Sequence, residues 1–222
     1  MAPQDQGFDE SLLMASGLYL PEDDPRVVNS KQDFDSIDKF LWAAMKFAAS
    51  FNGGMAFEPD RYLTDYYTEE AVKVIEANKD RPFFLYLAHW APHTPLQASR
   101  EDYDALSHIE NHRERVYAAM IRSLDRGVGE VLRALERNGL DENTLVLFTS
   151  DNGGMEKTPS EIITDNYPLD RGKISLMEGG TRVPLIITGP GIGAGVQSDV
   201  LVNGLDFYPT ILTLTGTEKP ED

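Results

Sequence analysis

Apolar positions fall into a few short runs separated by polar stretches, and the spacing within each run sets the element it predicts. Ile37, Phe40, Leu41, Ala44 and Ala48 recur at helical spacing, with Ser36 placed to cap a helix over 37–50 and Asn52-Gly53-Gly54 placed to end it. Thr68 reads as a second N-cap, with Glu69 and Glu70 at the positive helix end and Ala71, Val74 and Ile75 as the apolar stripe. The unbroken run Phe83 to Ala88 suits a strand buried on both faces. A long helix is predicted over 110–137, with Val116, Met120, Leu124, Val128, Val131, Leu132 and Leu135 on one face and Gly139 as its stop. Thr144 to Thr149 and Val183 to Thr188 read as two further buried strands, and Asp206 as the cap of a last helix with Pro209 in its first turn.

Strands alternating with helices predict an α/β fold with a mostly parallel sheet flanked by helices. Residues 1–35 are rich in Asp, Pro and Gly with no sustained period, and read as irregular surface. The whole of 1–65 is read as an irregular segment that shapes specificity, and 66–222 as the α/β core. No repeat or linker divides the chain.

Composition narrows the chemistry. The 222 residues suffice for one domain with a sizeable core. The formal net charge of −17 repels phosphate backbones, so nucleic acid is not an expected partner. The absence of cysteine excludes disulfides, thiolate catalysis and Cys-ligated zinc. No apolar run approaches the roughly 18 residues that span a bilayer, and the first residues carry no signal-peptide pattern. The compartment stays open.

In open α/β sheets ligands bind beyond the carboxyl ends of strands. Two loops stand there. One carries His89-Trp90-Ala91-Pro92-His93-Thr94-Pro95, the other Ser150-Asp151-Asn152-Gly153-Gly154. Asp151 and Asn152 offer a carboxylate and an amide carbonyl, hard oxygen ligands for calcium or magnesium; Asp-Asn-Gly is also a favoured turn sequence. His93, between two prolines, suits proton transfer near neutral pH, or is a packed or surface histidine. His89 alternates with the strand as a packed residue would, and His108 and His112 sit in a polar, solvated stretch. Lys173, ahead of Glu178-Gly179-Gly180, can hold an oxyanion as a point charge, or is solvated surface. Such a set suits hydrolysis of an anionic ester without choosing the ester.

Four segments in order resemble the formylglycine-dependent sulfatases: PFFLYLAHWAPHTPLQA (82–98), TLVLFTSDNGG (144–154), PLDRGKISLMEGGTRVPLIITGPG (168–191) and GLDFYPTILTLTG (204–216). The resemblance implies an alkaline-phosphatase-like fold, with Asp151 and Asn152 as two of four protein ligands to calcium. It implies His93 as general acid at the leaving oxygen and Lys173 as a ligand to a sulfate or ester oxygen, acting on a sulfate ester substrate. In that family a hydrated formylglycine attacks sulfur. Its C/S-x-P-S-R motif has no counterpart here, nor do the early Asp pair and the Lys-x-His segment. The resemblance places all three ahead of Met1, so the domain is expected to be truncated at both ends and inactive alone. The alternatives are a phosphate or phosphonate monoester hydrolase of the same superfamily, and a non-catalytic fragment complementing a separate chain that bears the N-terminal portion.

Overall fold

The computed structural model describes residues 2–15, 17–32, 36–155 and 163–218. Contacts divide the chain into two units, residues 1–190 and 191–222.

In the first unit, β1 (Leu12–Met14) pairs with β3 (Ala49–Phe51), β2 (Val27–Ser30) with β4 (Leu96–Ser99), and β5 (Val146–Thr149) with β6 (Leu185–Thr188). All three ladders are antiparallel, with Val27 opposite Ser99 and Ser30 opposite Leu96 in the second. The expected parallel neighbours are therefore not ladders among the described residues. Phe83 to Ala88 is extended but makes no backbone hydrogen bond to any described residue. It is not buried on both faces either. Phe83, Leu85 and Leu87 turn inward and pack, while Phe84 and Tyr86 are 63% and 73% exposed.

The helices of this unit are α1 (Ser36–Ala44), α2 (Leu63–Ala77), α3 (Arg100–Ala105), α4 (His112–Arg137) and the single turn α5 (Glu178–Thr181). Helix α1 includes Ser36, expected as its cap, and stops six residues short of the expected end. Thr68 is not a cap. Helix α2 begins five residues earlier, and Thr68 lies inside it, its hydroxyl bonded back to the Thr64 carbonyl at 2.9 Å. There Thr68 meets Gly127 of α4, where a Cβ would lie 2.4 Å from its Oγ1. The glycine lets the two helices cross closely. Helix α4 is capped by Asn111, whose side chain accepts from the Glu114 amide at 3.0 Å, and Gly139 follows it at φ +66°. Its buried stripe runs Val116, Ala119, Met120, Ser123, Gly127, Ala134 and Leu135. Leu132, expected on that face, is exposed. The small residues were missed because hydrophobicity does not mark a close helix crossing.

The reading of residues 1–35 as surface is also corrected. Leu18, Tyr19 and Leu20 are core residues, packed with Tyr62, Leu63, Leu96, Val116 and Met120. Gln97 of β4, fully buried, explains how: its Oε1 accepts from the Tyr19 amide at 2.8 Å and its Nε2 donates to Asn29 Oδ1 at 2.9 Å. Tyr62 donates to the Gln97 carbonyl at 2.7 Å, and its ring stacks on Tyr19 at 5.5 Å. Each polar group of Gln97 thereby finds the partner that burial demands.

Below β4, Asp102 of α3 joins three helices. Its carboxylate accepts from Ser99 at 2.7 Å, Ser123 at 2.6 Å, Arg122 at 3.0 Å and Arg126, which also holds Asp65 of α2 at 2.7 Å. Burial pushes the Asp102 carboxyl up, but bonds from Arg126, Ser123 and Ser99 outweigh it and hold the group below the usual carboxylate value.

The second unit holds α6 (Phe207–Thr215), entered through a turn in which Asn203 and Asp206 cap one another's amides. Pro209 lies in its first turn as expected, and Gly216 at φ +68° ends it.

Candidate active site

His93 stands in the loop between the extended segment and β4. Its amide donates to the Trp90 carbonyl at 2.9 Å, its carbonyl accepts from Tyr19 Oη at 2.8 Å, and its ring lies 4.1 Å from that of Trp90. Its Nδ1 is 2.7 Å from the Thr94 carbonyl. A carbonyl can only accept, so Nδ1 carries the hydrogen and Nε2 is the atom that takes or gives a proton. Sequence reasoning missed Tyr19, which fixes this loop from more than 70 residues away, and Gln97 of the adjoining β4, which holds the Tyr19 amide. The only signal was the short run Leu18-Tyr19-Leu20.

Asp151 and Asn152 occupy a tight turn after β5, closed by Ser150 Oγ donating to the Asn152 carbonyl at 2.9 Å. Asp151 is exposed and has no hydrogen-bond or ion-pair partner among the described residues. Lys173, half-buried, has no side-chain partner among them either.

The two loops are locked by backbone. Gly153 N donates to Gly180 O at 3.0 Å, Lys173 N to Gly154 O at 2.8 Å, and Gly179 N to Asp170 O at 2.8 Å. A Cβ on Gly153 would lie 1.8 Å from the Gly179 carbonyl oxygen, and one on Gly180 2.3 Å from that of Ser175. Only glycine permits this approach. Asn166 clamps the same junction. Its Oδ1 accepts from Gly154 N at 3.1 Å, and its Nδ2 donates to Gly154 O at 3.1 Å and Arg171 O at 3.0 Å. Nothing in the sequence marked Asn166, because its role exists only once the loops meet.

The structure thus brings Asp151, Asn152 and Lys173 onto one framework. No direct bond joins them to His93 among the described residues; Ile163, ahead of Asn166, packs on the core that carries the His93 loop. The oxygen donors of Asp151 and Asn152 fit a hard cation. Among the described residues no group of three or more His, Cys, Asp or Glu is gathered to hold a metal.

A family model described as Sulfatase matches residues 4–217. The chain is 33% identical to mouse N-acetylgalactosamine-6-sulfatase over 99% of its own length and 41% of that protein's. It is 32% identical to mouse arylsulfatase J over 99% and 35%. The crystal structure of Ps i-CgsB in complex with k-i-k-neocarrahexaose superposes with a TM-score of 0.80 at 36% identity, over 99% of this chain and 48% of that one. The chain therefore spans less than half the length of these relatives. Matched along nearly all of its own length, the chain belongs to the sulfatase family and has that family's alkaline-phosphatase-like α/β fold.

Proposed function

We propose that the chain supplies part of the active site of a sulfuric ester hydrolase. One observation carries this: the backbone junction at Gly153, Gly179 and Gly180 holds a carboxylate, Asp151, and an ammonium, Lys173, on adjoining loops, neither with a side-chain partner among the described residues. A carboxylate and an ammonium on adjoining loops suit a cation and an anion bound side by side. Asp151 and Asn152 would hold calcium, which supplies Lewis-acid stabilisation of charge on the sulfate oxygens when bound. Lys173 places a fixed positive charge against the same group. His93, through Nε2, donates a proton to the leaving oxygen. The nucleophile comes from outside this chain, since the sequence has neither cysteine nor a Ser-x-Pro-Ser-Arg segment.

A second polypeptide segment is the partner this requires. The extended run Phe83 to Ala88, without a ladder partner among the described residues and with Phe84 and Tyr86 exposed, supports one that adds strands there.

Calorimetric titration with calcium tests the reading, on the chain and on Asp151→Ala. Micromolar binding lost in the variant is expected. Binding that survives the substitution, or none at millimolar calcium, would remove the metal half-site.

A further inference from the structure

Among the described residues Asn52, Arg171 and Ile174 have positive φ without being glycine, and the last two flank Lys173. Ile174 is the outlier. An L-residue in the left-handed region crowds its Cβ against its own backbone, and a β-branched one does so most. Its φ of +77° follows from the turn it occupies. The Ser175 amide donates to the Gly172 carbonyl at 3.0 Å, with Lys173 and Ile174 at the two corners. Positive φ at the second corner makes this a type II turn, and that corner calls for Gly or Asn.

Nothing among the described residues offsets the strain. Arg171, at φ +64°, turns its carbonyl to accept from Asn166 Nδ2 at 3.0 Å. Ile174 gains no such contact. Its side chain is 91% exposed, and neither its amide nor the Lys173 carbonyl has a hydrogen-bond partner among the described residues. The bonds that fix the turn, Ser175 N to Gly172 O and Lys173 N to Gly154 O, do not select the left-handed corner either. Gly180 closes on the carbonyls of Gly172 and Ser175, where a Cβ would lie 2.4 and 2.3 Å away, so the ends of the turn are held and its middle peptide is not. The same closing bond serves a type I turn, in which the Lys173–Ile174 peptide is turned over and the second corner returns to negative φ. Isoleucine favours that alternative, and glycine the corner seen here.

We propose that the Lys173–Ile174 peptide is a two-state element whose left-handed corner is the anion-holding state, so that Ile174 sets the affinity of the Lys173 half-site. This rests on the reading of Lys173 as an anion ligand and adds what limits its grip. Turning the peptide over exchanges a carbonyl dipole and an amide dipole beside the ammonium, and an anion distinguishes the two. A corner that the chain itself disfavours lowers apparent affinity by the fraction of molecules that adopt it. Ile174 is thus a positioning residue, acting through Lys173.

Calorimetric titration with inorganic sulfate tests this on the unsubstituted chain and on Ile174→Val, Ile174→Asn and Ile174→Gly. Position 174 is exposed, so none of these loses packing. Valine keeps the β-branch and should bind as isoleucine does. Asparagine, which tolerates the left-handed region, should bind more tightly. Glycine should bind about tenfold more tightly, equal to about 1.4 kcal/mol and within the cost of a left-handed L-residue. Strain with no part in binding would instead raise the urea midpoint of Ile174→Gly at unchanged sulfate affinity; that result overturns the proposal, as does weaker binding by the glycine variant. Lys173→Met, alone and with Ile174→Gly, separates this from the reading beneath it. Loss of sulfate binding in both keeps Lys173 as the ligand. Binding that survives in both, or none by any chain at millimolar sulfate, removes the anion reading and the two-state element together. Binding through Lys173 at one affinity across the series removes the two-state element alone.

Discussion

His89 couples the stability of this chain to pH. It follows the inward-facing Phe83, Leu85 and Leu87, and both ring nitrogens are buried without a partner among the described residues. Burial alone lowers its pKa to about 4, because nothing nearby compensates a charged imidazolium. In the unfolded chain the same group titrates at about 6.5. The sign follows from proton uptake. Between those values the unfolded chain binds a proton that the folded chain refuses, so stability is complete above about pH 6.5 and is lost as pH falls toward 4. At pH 5 the loss is about 2 kcal/mol, and below pH 4 it levels off near 3 kcal/mol. With a urea dependence of about 2 kcal/mol per molar, the unfolding midpoint should drop about 1 M between pH 7.5 and pH 5. His89→Leu should remove that drop while carboxylates and the other three histidines titrate as before. Equal pH slopes in the two proteins would refute the reasoning, as would a His89 ring that titrates near 6 by NMR in the folded chain.

Two further substitutions probe the framework. Gly153→Ala sets a methyl 1.8 Å from the Gly179 carbonyl oxygen. It should cost at least about 2 kcal/mol and strip hydrogen-exchange protection from the Lys173 amide, which bonds to Gly154; retained protection would show that the loops do not depend on the junction. Asp102→Ala leaves Arg122, Arg126, Ser99 and Ser123 without their shared acceptor and should cost about 3 kcal/mol by urea unfolding, with a loss under 1 kcal/mol counting against a structural role. Because the Asp102 carboxyl is held low in the fold, its contribution should be present above the ordinary carboxylate range and fade as pH falls through its lowered value.

Much of the chain was legible as sequence because its signals are local. Gly139 follows α4 and Pro209 lies in the first turn of α6 as read, since a left-handed stop or a first-turn proline depends on neighbours within a few residues; Asp206 precedes α6 but its carboxylate caps the Asn203 amide instead of the helix. The strands at Thr144 and Val183 were readable from their apolar runs, but not their burial: Phe148, Ile186 and Ile187 are exposed, where the runs implied buried strands. The ordered motifs carried the family. Tertiary structure decided what depends on distant partners. A short apolar run looks the same whether it pairs on both sides or neither, so Phe83 to Ala88 could not be told from a fully paired strand. Thr68 read as a cap because a buried back-bonded threonine has the same local sequence. Tyr19, Gln97 and Asn166 hold the His93 and Lys173 loops through bonds that exist only after the chain folds back on itself. Local chemistry could therefore nominate Asp151, Asn152, His93 and Lys173, but only long-range backbone contacts decided which of them share a framework.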